Sequence, residues 1–243
     1  CHLDDERFLE DLCEVIDGAK KSGVVGFLIP GADPETLPRA LQISERYKGV
    51  FFGVGFHPYD ANKFDMNILK EYSKHPKCIA IGECGLDYYR LPENEDEIKK
   101  EKELQKEVFV KHIEFAKKVK KPLIVHIREA SIDSYDLLIK HNGGDVGGVL
   151  HCYNADEILL KLADKNFYYG IGGVITFKNG KRLPEILNKI PKDKLLIETD
   201  APYLTPHPYR GKRNEPKYCN DISQKIADIL EMGKESIDSL TTE

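Results

Sequence analysis

Histidines and carboxylates recur at the ends of apolar runs in this chain. Those with ligand chemistry are His2, His57, Glu83, Asp87, His126, His151 and Asp200. Imidazole and carboxylate together suit Zn²⁺, Mn²⁺ and related divalent ions. A single histidine at a strand end is more often an ordinary hydrogen-bonded residue. Several such groups at matching positions are costly to bury without a ligand. The pattern therefore predicts a metal site, with enough ligands for two ions that share a carboxylate.

Seven apolar segments supply the strands that must position these side chains. They are continuous rather than alternating, which is typical of parallel strands buried on both faces: 24–32, 50–57, 78–86, 122–128, 148–153, 168–176 and 195–200. Amphipathic helical patterns separate them: 5–21, 35–47, 62–74, 98–118, 131–141, 155–163, 182–190 and 221–231. Strict alternation of strand and helix predicts βαβ units.

The predicted fold class is α/β, a (β/α)₈ TIM barrel that forms a single domain over residues 1–243. The first visible element is a helix, so we expect the first strand to be largely missing from the chain, just upstream of Cys1. An open, doubly wound sheet is the alternative. In a barrel, the polar residues at the carboxyl ends of the strands would converge on one face. The charged stretch Pro92–Lys106 is predicted to begin as a loop over one end of the barrel.

Composition limits the classes of protein that this can be. Hydrophobic residues make up 41% and charged residues 32%, as in a folded globular domain. The net charge of −5 excludes a uniformly basic nucleic-acid coat but not a local basic patch. No apolar run approaches the ~18 residues of a membrane helix. Six cysteines without a CxxC pair do not indicate a disulfide framework. We expect a cytoplasmic protein without a membrane partner, and the sequence indicates no protein partner.

The chain resembles the TatD family of metal-dependent deoxyribonucleases, in the amidohydrolase superfamily. The matching segments run in order through the chain: CHLD, GVGFHP, IGECGLDYY, VHIREA, LHCY, GIGGVITFK, LLIETDAPYLTP and YRGKRNEP. In that family a His-x-His pair follows the first strand, and here only its second member, His2, is present. The resemblance implies that His2 and Asp200 hold one metal, that Glu83 bridges two metals, and that His126 and His151 hold the second. It also implies that Asp200 and Glu83 are catalytic.

The resemblance further implies two divalent ions (Mg²⁺, Mn²⁺ or Zn²⁺) and a DNA substrate. The expected reaction is phosphodiester hydrolysis by metal-activated water, with 3′ exonuclease action on single strands. Ester or amide hydrolysis, such as deacylation of aminoacyl-tRNA, is the alternative within the same superfamily. A barrel that binds nucleic acid without turnover is a third hypothesis, against which the complete set Glu83, His126, His151 and Asp200 argues.

Five further residues are candidates for substrate contact. Arg128, two residues after His126, could grip a phosphate or form a surface salt bridge. His57 could contact a phosphate or cap a strand end, and Tyr203 could stack on a base or pack at the rim. Arg210 and Arg213 belong to a basic run that could attract a nucleic-acid backbone or form a solvated loop.

Overall fold

Seven strands alternate with helices in the computed structural model, which describes residues 1–242. The strands are β1 Phe27–Ile29, β2 Val50–Val54, β3 Cys78–Asp87, β4 Leu123–Arg128, β5 Gly148–His151, β6 Phe167–Ile171 and β7 Leu195–Ile197. The α-helices are α1 Leu12–Lys21, α2 Leu37–Arg46, α3 Met66–Tyr72, α4 Glu95–Val119, α5 Ser131–Lys140, α6 Arg182–Leu187, α7 Cys219–Leu230 and α8 Lys234–Leu240. Short 3-10 helices occupy several of the connections.

The strands form one parallel sheet in sequential order from β1 to β7. The sheet is curled, as shown by the first two residues of the chain, which contact the backbone at both of its edges. The Cys1 amine donates to the carbonyl of Leu28 at 3.1 Å, and the His2 N–H donates to the carbonyl of Ala201 at 2.7 Å. The predicted α/β architecture with sequential parallel strands is therefore confirmed.

Apolar side chains from both faces of the sheet form the core. Tyr169, Phe52 and Phe109 are among the largest fully buried side chains. Cys84, next to Glu83, is also fully buried and packs in this core. None of the helices in residues 1–242 has the length and apolar character needed to cross a membrane.

The helix after β3 begins earlier than the sequence predicts. Residues 92–106 do begin as a loop, as predicted, but α4 begins at Glu95 and not at residue 98. The Asn94 side chain caps this helix by accepting hydrogen bonds from the N–H groups of Asp96 and Glu97. Three acidic residues in the first turn interact favourably with the helix dipole. The polar residues just before the predicted helix 98–118 therefore form a capped, solvated helix start.

Several other elements differ from the prediction in extent or type. The predicted strand 168–176 ends at Ile171, and Gly173–Thr176 form a 3-10 helix. A Cβ on Gly173 would lie 2.1 Å from the carbonyl oxygen of Leu204, so this turn packs directly on the backbone that follows β7. The predicted helix 155–163 is a 3-10 helix over Glu157–Lys165. Helix α8 had no counterpart in the sequence prediction.

Candidate metal centre

Two groups of side chains at the carboxyl ends of the strands could each hold a metal ion. In each group three donor atoms lie within 4.8 Å of one another, and the groups are His2, His151, Asp200 and His57, Glu83, His126. Ligands about 2.0–2.2 Å from Zn²⁺ in a tetrahedron lie a little over 3 Å apart. The spacing and the mixture of imidazole and carboxylate therefore fit a divalent cation.

The first group is centred on Asp200. Its Oδ1 lies 3.2 Å from Nε2 of His2 and 3.3 Å from Nε2 of His151. Burial raises the pKa of Asp200, but hydrogen bonds from His151 and His2 outweigh it and hold the pKa well below its usual range. The backbone of Asp200 has a φ of 53°, so the chain turns sharply as it leaves β7. This turn directs a charged side chain over the end of the sheet.

The second group is centred on Glu83, which is 3% exposed. Its Oε1 lies 3.0 Å from Nδ1 of His126, and the rings of His126 and His57 lie 4.5 Å apart. Burial lowers the pKa of His126, but hydrogen bonds to Asp87 and Glu83 outweigh it and raise the pKa to about 9. Without a metal, protonated imidazole thus supplies the positive charge that the buried carboxylates require.

Glu83 acts electrostatically on both groups. Burial raises its pKa, but the charges of His151 in the first group and His126 in the second lower it well below its usual range. A carboxylate in this position is suited to interact with two cations. The partition of the histidines differs from the one that the resemblance implies: His151 is grouped with His2 and Asp200, whereas His126 is grouped with Glu83 and His57.

His57 differs from the other histidines in the role of its ring nitrogens. Its Nδ1 accepts the N–H of Tyr59 at 3.2 Å, which caps the 3-10 helix Pro58–Lys63. That tautomer carries its proton on Nε2, which can donate a hydrogen bond; before Nε2 could bind a metal, the proton would have to move to Nδ1, and the contact with Tyr59 would be lost. Burial lowers the pKa of His57 to about 4, so the ring is neutral at pH 7. His57 is thus placed to donate to a neighbouring oxygen.

Two carboxylates orient the histidines: Asp87, which the sequence analysis named among the residues with ligand chemistry, and Glu198, which it did not name. Asp87 Oδ2 lies 2.9 Å from Nε2 of His126, and Glu198 Oε2 lies 2.8 Å from Nδ1 of His151. In both pairs the other ring nitrogen faces the donor group, as in the carboxylate–histidine–metal arrangement. Glu198 precedes Asp200 by two residues, and alternate residues of an extended chain share a side. That spacing could have identified it.

The Glu198 carboxylate occupies space that is open because residue 170 is a glycine. Its Oε1 accepts the N–H of Cys152 at 2.7 Å. This bond fixes the orientation of the carboxylate, and therefore the position of Oε2 beside His151. A Cβ on Gly170, in β6, would lie 2.3 Å from Oε2 of Glu198. Only glycine therefore leaves room for this carboxylate beside His151.

A buried histidine outside the two groups supports the end of β2. The Nδ1–H of His112, in α4, donates to the carbonyl of Val108 at 2.8 Å, and its Nε2 accepts the N–H of Phe56 at 3.1 Å. Burial lowers the pKa of His112 to about 4, which matches the neutral form that this pairing needs. The ring thus ties the outer helix to the residue that precedes His57.

Two of the candidate substrate residues lie exposed at the mouth of the sheet. The guanidinium of Arg128 lies 3.5 Å from the centre of the Tyr89 ring, and among residues 1–242 it forms no ion pair. Tyr203 is 46% exposed, with the guanidinium of Arg7 at 4.3 Å from its ring centre and the edge of the His2 ring nearby. Each belongs to a pair in which an arginine guanidinium lies over a tyrosine ring.

Arg210 and Arg213, which the sequence treats as one basic run, have different surroundings. Arg213 donates twice to Asp11, at 2.8 and 2.6 Å, and once to Glu215 at 3.2 Å. Arg210 is exposed, stacks on Phe177 at 3.9 Å, and donates to the backbone carbonyl of Thr205. Arg213 is therefore committed to a tie between loops, whereas Arg210 keeps its charge free.

Comparison with known proteins places these features in a family. The family model described as TatD related DNase matches residues 1–243. The chain is 43% identical to the uncharacterized metal-dependent hydrolase YabD of Bacillus subtilis, over all of this chain and 94% of that protein. It is 32% identical to the 3′-5′ ssDNA/RNA exonuclease TatD of Salmonella typhimurium, over 93% of this chain and 88% of that protein.

A solved structure shows the same fold. The crystal structure of YjjV, a TatD homologue from Escherichia coli, superposes with a TM-score of 0.87 at 24% identity, covering 99% of this chain and 92% of that one. Because the family model spans the whole chain and the curated relatives align along nearly their full length, the chain belongs to the TatD family of metal-dependent hydrolases.

Proposed function

We propose that this protein is a metal-dependent deoxyribonuclease that hydrolyses phosphodiester bonds of single-stranded DNA from the 3′ end. The observation that carries the proposal is the pair of donor groups, with Glu83 acting on both. The exonuclease name of the Salmonella relative supports the choice of substrate and direction.

The donor groups would hold two divalent ions, such as Mg²⁺, Mn²⁺ or Zn²⁺. His2, His151 and Asp200 would bind one, and Glu83 and His126 the other, with the charge of Glu83 acting on both groups. When bound, such ions activate water and stabilise the charge that develops on phosphoryl oxygens. Asp87 and Glu198 would hold the two imidazoles in the tautomer that presents a lone pair to the ion.

Asp200 would act as the base. Both imidazoles of its group contact Oδ1, so Oδ2 has no hydrogen-bond partner among residues 1–242 and can accept a proton from the attacking water. The water oxygen forms a bond to phosphorus, and the bond from phosphorus to the leaving sugar oxygen breaks. That oxygen takes up a proton, which leaves an alcohol and a phosphate monoester. His57 would donate from Nε2 to a substrate oxygen.

End-labelled single-stranded DNA tests the proposal. The protein is incubated with Mg²⁺, Mn²⁺ or Zn²⁺, with and without EDTA, beside Asp200→Asn as the matched inactive variant. We expect loss of nucleotides from the 3′ end that EDTA and Asp200→Asn abolish. No metal-dependent DNA loss with any of the three ions would overturn the proposal. Turnover of an aminoacyl ester instead would favour the ester-hydrolase alternative.

A further inference from the structure

Two loops beside the first donor group carry cations without acidic neighbours. One follows β6 and the other follows β7. Residues 172–184 and 201–214 contain no Asp or Glu, in a chain that has 41 of them. Five exposed side chains in these two segments are basic: Lys178, Lys181, Arg182 at the start of α6, Arg210 and Lys212. We call these five residues the basic surface.

The cations of the basic surface are not neutralised by the protein. Among residues 1–242, none of the five forms an ion pair, and their one side-chain hydrogen bond runs from Arg210 to the backbone carbonyl of Thr205. The next basic residues along the chain behave differently, since Arg213 and Lys217 both pair with Glu215. Unpaired cations in a protein of net charge −5 leave a local positive potential for an external anion.

The two loops are held against each other, so the charges form one surface. The N–H of His207 donates to Oγ1 of Thr176 at 2.9 Å, and the guanidinium of Arg210 lies 3.9 Å from the centre of the Phe177 ring. The backbones also meet where Gly173 packs on the carbonyl of Leu204. The second loop begins at Asp200, so the basic surface adjoins the first donor group at the carboxyl end of the sheet.

We propose that the basic surface binds the phosphate backbone of the part of a single-stranded nucleic acid that extends beyond the nucleotide being cleaved. This inference rests on the proposed nuclease function for its choice of polyanion. Proteins that hold single strands combine a cationic groove with aromatic side chains, and here Phe177 and exposed Tyr203 accompany the cations. Arg213, with its charge paired, is not part of this surface.

The test compares two variants that each lose three positive charges. The first changes Lys178, Lys181 and Arg182 to Gln. The control changes Lys74, Lys118 and Lys140 to Gln; these lysines are exposed, form no ion pair among residues 1–242, and lie near the ends of α3, α4 and α5, away from the site. The ligand is a phosphorothioate-linked single strand of twelve nucleotides, which keeps its charges and resists hydrolysis. Binding to the metal-loaded protein is measured by fluorescence anisotropy across salt concentrations.

For single strands the slope of log K against log salt is about −0.7 per phosphate neutralised. The first variant should therefore flatten the slope by about 2, and the control should leave it unchanged. The first variant should also raise KM for a long DNA substrate without changing kcat, and leave hydrolysis of bis(p-nitrophenyl) phosphate unaltered. A slope equal to that of the control would overturn the inference, as would equal losses on the small and long substrates.

The two proposals can fail separately. If the wild-type protein binds the strand with the expected salt dependence but cleaves no DNA with any ion, the nuclease proposal fails and the basic surface remains. If it cleaves DNA while the first variant keeps the wild-type slope, only the basic surface is refuted. Loss of binding to vesicles of anionic lipid, with oligonucleotide binding intact, would assign the surface to a membrane and overturn the inference.

Discussion

Gly170→Ala should weaken metal binding at the first donor group without touching any ligand. The new Cβ would lie 2.3 Å from Oε2 of Glu198, whereas real Cβ contacts are essentially never below 3.0 Å. The carboxylate must therefore move by about 0.7 Å or more, which disturbs its 2.8 Å hydrogen bond to His151. Loss of a carboxylate that orients a metal-binding histidine costs about 10–100-fold in affinity, or about 1.4–2.8 kcal/mol.

The assay is calorimetric titration of the metal-free protein with Mn²⁺ or Zn²⁺. The matched control is Gly172→Ala, whose Cβ would lie 3.5 Å from Oε1 of the same carboxylate, an ordinary van der Waals contact. This variant should bind as the wild type does. Glu198→Ala should lose about as much affinity as Gly170→Ala, because both remove the same hydrogen bond.

A double variant separates the clash from general disruption of β6. Once Glu198 is alanine, the methyl group of Gly170→Ala has no carboxylate to displace, so the second change should cost little further affinity. Wild-type affinity in Gly170→Ala would refute the reasoning. So would an undiminished cost of Gly170→Ala in the Glu198→Ala background, because the loss would then arise from the strand and not from the carboxylate.

Three further expectations concern charge. Glu83→Gln should lower metal content at both donor groups, since the Glu83 charge acts on both; inductively coupled plasma mass spectrometry beside exposed Glu185→Gln tests this, and unchanged stoichiometry would contradict it. Burial lowers the pKa of His126, but hydrogen bonds to Asp87 and Glu83 raise it to about 9, so the ring is protonated at pH 7 and must lose its proton to bind a metal. The apparent affinity for Mn²⁺ should therefore rise by up to tenfold per pH unit towards pH 9. A flat affinity profile between pH 6 and 8 would count against this. Arg213→Ala should lower the free energy of unfolding by about 1 kcal/mol and Tm by a few degrees, because it removes the partly exposed pair with Asp11. Arg210→Ala should leave Tm unchanged and raise KM for DNA. The reverse pattern would refute the assignment.

The strand order and the convergence of ligands could be predicted because both follow from local patterns. Each ligand-bearing strand is a continuous apolar run, and His126, His151 and Asp200 come at or just after the carboxyl ends of such runs. Parallel strands place those ends together. The sequence could not settle which histidines share a group, because that depends on the directions of side chains over the curled sheet.

The residues that the sequence analysis missed are those that position other residues or elements. Glu198 falls within a segment interpreted as strand, so its carboxylate was not considered beside His151. His112 lies within the predicted helix 98–118, yet its ring accepts the N–H of Phe56, just after β2. The Asn94 side chain caps α4 at Glu95, three residues before the predicted helix start. Each depends on a contact with a particular partner and not on composition.

The positions of the ligands along the chain bear on the order in which the protein assembles during synthesis. His57, Glu83 and His126 come from neighbouring βα units, so this group can form once the first half of the chain has left the ribosome. His2 must wait for Asp200, near the other end, and the N–H of His2 bonds to the carbonyl of Ala201. Contacts between residues that are far apart in the sequence form late in folding, because a long loop must be closed first. The two donor groups are therefore expected to become competent for metal in sequence, and the group that contains the proposed base completes last.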